Sequence, residues 1–105
     1  MTTFDKREEA FEKKFVLDEE QKFKAEARRN KLLGLWVAEK LGMTGNAAAA
    51  YAADVVAAEF EGTDGVIRRV SGDLAAKGLA VEESDIRIRM DELMLLAIAQ
   101  VKAGK

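Results

Sequence analysis

Apolar positions along the chain follow two regimes that meet near Asp18. Before it they are sparse. Phe4, Phe11 and Phe15 stand among charged runs, Asp5-Lys6-Arg7-Glu8-Glu9 and Glu12-Lys13-Lys14. Their i, i+7, i+11 spacing marks one narrow face of a helix. The segment from Phe4 to Leu17 can turn helically, but it has too little apolar surface to hold a helix without a partner.

After Asp18 the pattern becomes that of buried helices. Asp18 reads as an N-cap with Gln21 three residues on, a capping box. A helix should run from Glu19 to Leu41 and end at Gly42. Its first half is charged, whereas Leu32-Leu33-Gly34-Leu35-Trp36-Val37-Ala38 is apolar nearly all round and should be buried. Gly34 costs about 1 kcal/mol of helix propensity relative to Ala. It is tolerable where a neighbouring helix crosses closely. Thr44 is the next N-cap, opening a helix over Ala47 to Phe60 with Ala52, Val55, Val56 and Phe60 on one side. Gly62-Thr63-Asp64-Gly65 breaks it.

A further helix places Val66, Ile67, Val70 and Leu74 at core spacing, contains Gly72 and ends at Gly78. Leu79-Ala80-Val81 forms a connection, and Glu83 or Ser84 opens the last helix, which runs to about Lys102. Ile86-Arg87-Ile88-Arg89-Met90 alternates like a strand. However, Ile86, Met90, Leu93, Ala97 and Val101 recur at three- and four-residue steps, so the segment reads as helix. With no Pro in the chain, the expected fold is all-α: a four-helix bundle over residues 19–105, preceded by a mobile, weakly helical N-terminal arm over residues 1–18.

Composition narrows the function classes. The chain has 105 residues, enough for one core, and contains neither Cys nor His. The usual zinc, haem and iron–sulfur sites and a His general base therefore cannot be built, and no cofactor is expected. The net charge of −2, with basic residues matched locally by acidic ones, speaks against nucleic acid. No apolar run approaches the roughly 20 residues of a spanning helix, and no secretory h-region is present. The chain is expected to be soluble and intracellular, without direct membrane insertion.

Two groups of candidate binding residues emerge. On the arm, Phe4, Phe11 and Phe15 could anchor a helix in a partner groove, or could instead pack on the chain's own bundle. Thr63 and Gly65, ahead of Arg68 and Arg69, could place an anion or nucleotide at a helix N-terminus. The stretch is neither a P-loop nor a G-x-G-x-x-G. Trp36 and Tyr51 read as core residues, Tyr51 with its hydroxyl toward the surface. The carboxylates Glu39, Asp54, Glu59, Asp73 and Asp91 are scattered, and no acid–base pair follows from them.

Phe4-Asp5-Lys6-Arg7-Glu8, Phe23-Lys24-Ala25-Glu26-Ala27-Arg28-Arg29-Asn30-Lys31-Leu32-Leu33-Gly34-Leu35-Trp36 and Ala38-Glu39-Lys40-Leu41-Gly42 resemble the zeta-subunit family of alphaproteobacterial F-type ATP synthases. Tyr51, Val55-Val56 and the turn before Val66 extend the resemblance over essentially the whole chain. It implies a non-enzymatic subunit that blocks ATP hydrolysis. The N-terminal segment, Thr3 to Leu17, would insert as a helix at a catalytic alpha/beta interface and toward the rotor, while the helical body anchors from outside. The implied partners are the alpha, beta and gamma subunits. The arm contacts would be Phe4, Asp5, Arg7, Glu8, Phe11, Lys14 and Phe15. The implied location is cytoplasmic, peripheral to the inner membrane through the synthase, with a monomeric free protein. The alternatives are a small helical ligand- or nucleotide-binding regulatory protein, using the helix starts near Thr44 or Thr63, and a structural adaptor. Without His, a His-based pH switch is excluded.

Overall fold

A computed structural model describes residues 17–105. Among these residues four α-helices follow one another: α1 Glu19–Lys40, α2 Gly45–Ala58, α3 Thr63–Ala76 and α4 Glu83–Lys102. A 3₁₀ turn, Glu59–Glu61, joins α2 to α3. No strand occurs among the described residues, and the Ile86–Met90 alternation is helical. This is the expected all-α four-helix body.

The helix ends follow from local chemistry. The Asp18 carboxylate accepts from the Gln21 amide at 2.7 Å, and the Gln21 side chain accepts from the Asp18 amide at 3.2 Å. This capping box satisfies two donors that the first turn would otherwise strand. At the other end of α1, Gly42 takes φ 79°. Its amide donates to Glu39 at 3.1 Å and the Met43 amide donates to Ala38 at 2.9 Å, the paired bonds of a Schellman stop. The same arrangement at Gly78 ends α3.

α1 is the central element, packing along both α2 and α4, with α3 laid across the remaining side. The core joins Leu33, Val37 and Ala38 of α1 with Tyr51 and Val55 of α2, Val66, Ile67, Val70 and Leu74 of α3, and Ile86, Met90 and Leu93 of α4. Gly34 is buried where α1 and α2 cross. A Cβ there would stand 2.6 Å from Ala52 Cα and 3.2 Å from Val55 Cβ. The expected close crossing is thus present, and Gly34 makes it sterically accessible. Gly72 faces open space, so it leaves α3 regular.

The structure corrects several burial expectations. Leu35 is exposed, and Leu32 and Trp36 are only half-buried, so the second half of α1 is not apolar-packed all round. Trp36 lies at the core edge, with Lys40 Nζ 4.7 Å and the Arg89 guanidinium 5.4 Å from its ring centroid. Val56 and Val101 are half-buried. Phe60, expected on the core side of α2, is 97 % exposed. The inward stripe of α2 continues as Ala52, Val55, Glu59, because α1 presents polar Arg29 and Asn30 at that level. Glu59 therefore turns inward and Phe60 outward.

Candidate functional site

The arm residues Phe4, Asp5, Arg7, Glu8, Phe11, Lys14 and Phe15 lie outside the described residues. The other sequence-derived group, Thr63, Gly65, Arg68 and Arg69, sits around the start of α3 beside the 3₁₀ turn.

The turn is held from three sides. Asn30 is fully buried on α1, and its amide nitrogen donates to Glu59 Oε2 at 2.9 Å while its oxygen accepts from Arg29 Nε at 3.1 Å. Arg29 Nη2 lies 3.6 Å from the same Glu59 oxygen. Thr63 Oγ1 donates to Glu59 Oε1 at 3.4 Å. Gly62, at φ 85°, redirects the chain into α3. Gly65 is buried, and a Cβ there would meet Glu61 Cβ at 2.7 Å and the Ala58 carbonyl oxygen at 3.0 Å. Only glycine lets the turn fold so closely over the first turn of α3.

This geometry gives the glycines a steric role and surrounds the start of α3 with acid. Glu59, Glu61 and Asp64 flank it. The Gly65 amide already donates to the Gly62 carbonyl at 3.0 Å. Arg68 pairs with Glu61 at 3.5 Å. Arg69 pairs with Asp73 at 2.8 Å and Asp54 at 3.6 Å. Gly65, Arg68 and Arg69 thus line one surface cleft together with Asp54 and Glu61, and Thr63, bonded to Glu59, is not among its lining residues. Both guanidiniums are matched by carboxylates, whereas a phosphate site needs unopposed positive charge.

Arg69 belongs to a second polar cluster that the sequence reading did not assemble. The Tyr51 hydroxyl donates to Asp73 Oδ2 at 2.7 Å, and Arg69 lies 5.5 Å from the Tyr51 ring centroid. Burial, followed by the bond to Asp73 and the charge of that carboxylate, pushes the Tyr51 hydroxyl pKa well above its ordinary value. The bond to Asp73 likewise raises Arg69. The Tyr51 hydroxyl and the Arg69 guanidinium keep their protons at neutral pH, and the cluster ties α2 to α3. The i,i+4 spacing of Arg69 and Asp73 was a readable signal. The join to Tyr51, on another helix, was not.

At the open end of α1 and α4, Arg28 Nη1 donates to Gln100 Oε1 at 3.0 Å and Nη2 to the Lys105 carbonyl at 2.5 Å. Lys24 and Lys31 line the same cleft. Among the described residues no group of three Asp or Glu is placed to hold a metal ion, and no helix is long and apolar enough to cross a membrane.

Comparison with known proteins adds what the described residues leave open. The family model for ATPase inhibitor subunit zeta matches residues 1–100. A protein with a solution NMR structure is 52 % identical, with a TM-score of 0.69, over 79 % of this chain and 96 % of that one. No curated protein matches.

Proposed function

Since the chain belongs to the ATPase inhibitor subunit zeta family, we propose that it inhibits ATP hydrolysis by an F-type ATP synthase, using its N-terminal segment as the blocking element. The observation that carries this reading is the family match over residues 1–100, which includes the aromatic arm as well as the helical body. In this reading Thr3 to Leu17 folds as a helix at a catalytic alpha/beta interface and reaches toward the gamma subunit. Phe4, Phe11 and Phe15 form its apolar face, and Asp5, Arg7, Glu8 and Lys14 form its charged flanks. The body holds the complex from outside and performs no chemistry of its own. It works at the cytoplasmic face, peripheral to the membrane through the synthase, and the free protein is monomeric.

The physical division of labour supports this assignment. Ordering the arm costs about 1–2 kcal/mol of backbone entropy per residue. Its charged pairs in water return only about 0–1 kcal/mol each. Each Phe buried on a partner contributes roughly 1.5–3 kcal/mol, so helix formation is coupled to docking. Added to synthase that lacks its own copy of this subunit, the full chain should depress ATP hydrolysis in a saturable way. Hydrolysis unchanged at saturating chain would reject the reading.

A further inference from the structure

We propose that in the free chain the arm, Thr3 to Leu17, folds back onto the cleft beside α1 and is masked there until the synthase takes it. The masking role rests on the inhibitory reading above, whereas the contact itself does not.

The cleft has a floor and a wall. Ala27, Val56 and Val101, from three helices, form the floor, with Ala27 exposed and both valines half-buried. Lys24, Arg28 and Lys31 stand at three- and four-residue steps along α1 and form the wall. No Asp or Glu is among the described residues that line the cleft. Lys24 reaches Glu20 at 3.1 Å in an exposed pair, and Arg28 meets the side-chain oxygen of Gln100 and the main-chain oxygen of Lys105. No carboxylate pairs with Lys31 among the described residues.

The arm carries the complement. Asp5, Glu8, Glu9 and Glu12 recur at three- and four-residue steps, so a helix places them on one flank of the Phe4, Phe11, Phe15 stripe. Lys6, Arg7, Lys13 and Lys14 fall on the other flank. A stripe of rings bordered by acids matches an apolar floor bordered by cations. Length agrees as well. Residues 3–17 as a helix span about 22 Å, and α1 from Glu19 to Lys31 spans about 20 Å. The arm joins α1 at Asp18, whose extended backbone, φ −76° and ψ 175°, suits a short connection between antiparallel helices. Folded back in this way, Phe15 falls near Gln21 and Phe4 near Lys31. The tether also supplies an effective concentration of about millimolar, which no separate partner has.

The contact is shallow, because its ion pairs are exposed and contribute little. Docked and free arms are of comparable population, which barely shifts the melt. Masking of that extent about doubles the apparent dissociation constant for the synthase.

The test is a nitroxide on the full chain at Thr3→Cys, the only thiol in a chain without Cys. The label should broaden the amide resonances of Lys31 and Val101, residues remote from position 3 in the sequence. The double variant K24E/K31E should remove that broadening and, in the unlabelled chain, lower the half-inhibitory concentration about twofold. K24Q/K31Q, which adds no new charge, should do the same to a smaller extent if K24E/K31E fails to fold. Amides of Lys31 and Val101 left sharp in the labelled chain would overturn the contact. Broadening equally strong between labelled and unlabelled chains in a mixture would assign the cleft to a second copy and overturn it too. Broadening removed by K24E/K31E with inhibition unchanged would overturn the masking. Broadening in a chain that does not inhibit at all would overturn the functional reading and leave the contact standing.

Discussion

Gly34 on α1 faces Ala52 on α2 so closely that a methyl at position 34 would lie 2.6 Å from the Ala52 α-carbon. Two effects oppose each other in Gly34→Ala. Helix propensity would gain about 1 kcal/mol. The collision is with backbone, which cannot swing away as a flexible side-chain tip could, and overpacking of this kind costs about 1–3 kcal/mol or more. The net effect should be destabilising by about 1–2 kcal/mol in urea unfolding. Gly34→Leu, with more volume to place, should cost more. An unchanged or higher urea midpoint for Gly34→Ala would mean that α1 and α2 cross farther apart than this.

The bond between Asn30 and Glu59 should couple the two residues energetically. Asn30 is fully buried, so removing its acceptor strands donors away from water. Glu59→Ala should cost about 1–3 kcal/mol, although Asn30 replaced by Leu could recover part of that in the double variant. A double-mutant cycle read by chemical unfolding measures the coupling. A coupling of zero would detach the turn, and with it Phe60, from the core.

The helices were legible in the sequence because their signals are local. The Asp18 capping box, the Gly42 and Gly78 stops and the core steps in α3 and α4 each depend on residues a few positions apart. Gly34 was legible for a different reason: an apolar run interrupted by Gly implies a close neighbour. Phe60 was not legible. Both Glu59 and Phe60 continue the α2 stripe acceptably, and hydrophobicity favours Phe60 as the inward one. The choice is made by Asn30, on another helix, and no local pattern reveals that a buried Asn awaits a carboxylate there. The same holds for Tyr51 and Asp73, joined across α2 and α3. At the candidate anion site the residue types were readable, and so was the i,i+4 partner of Arg69, but Glu61 meets Arg68 through the fold of the turn and Asp54 meets Arg69 across two helices.

Tyr51 predicts an alkaline loss of stability with a defined sign. Its hydroxyl pKa is raised in the fold by burial and by the Asp73 carboxylate. In the unfolded chain it ionises near pH ~10. Below that pH both states hold the proton and the stabilisation is fully present. As pH rises past about 10 toward the folded value, the unfolded state alone releases the proton and stability falls. Tyr51→Phe should remove this part of the fall and, at neutral pH, cost about 1 kcal/mol for the lost hydrogen bond. Tyr51 is the chain's one tyrosine, so tyrosinate absorbance reports it directly. A folded-state midpoint at the ordinary value would remove the basis for the effect.

Trp36 packs at the edge of the core, half-buried beneath Lys40 and Arg89. Complete truncation of a buried aromatic costs about 3–5 kcal/mol. Trp36→Ala should cost less, about 2 kcal/mol, because part of the ring already meets water and its cations are exchangeable. A loss within the full-burial range, read from urea unfolding, would place the ring deeper than the edge.

The division between arm and body is tested most directly by removing residues 1–17. The cut leaves Asp18 in place, so α1 keeps the carboxylate that caps its first turn. All the described core residues, from Ala25 and Leu33 of α1 onward, lie behind the cut. The truncated chain should therefore retain its helical spectrum and unfold cooperatively. It should lose inhibition of ATP hydrolysis, because the proposed blocking element is gone. Point substitutions then separate the arm's chemistry from its mere length. Phe11→Ala and Phe15→Ala should each weaken inhibition about tenfold or more, since one ring's burial on a partner exceeds the 1.4 kcal/mol that a factor of ten represents. Exchanging Glu9 and Lys13, spaced i,i+4 in the sequence, should change it far less, because such pairs on a helix contribute only about 0.2–0.5 kcal/mol. Comparing the melts of the same variants decides where the rings act. Weakened inhibition at constant stability places them in the partner, whereas full inhibition with a lowered melting point returns them to the chain's own bundle.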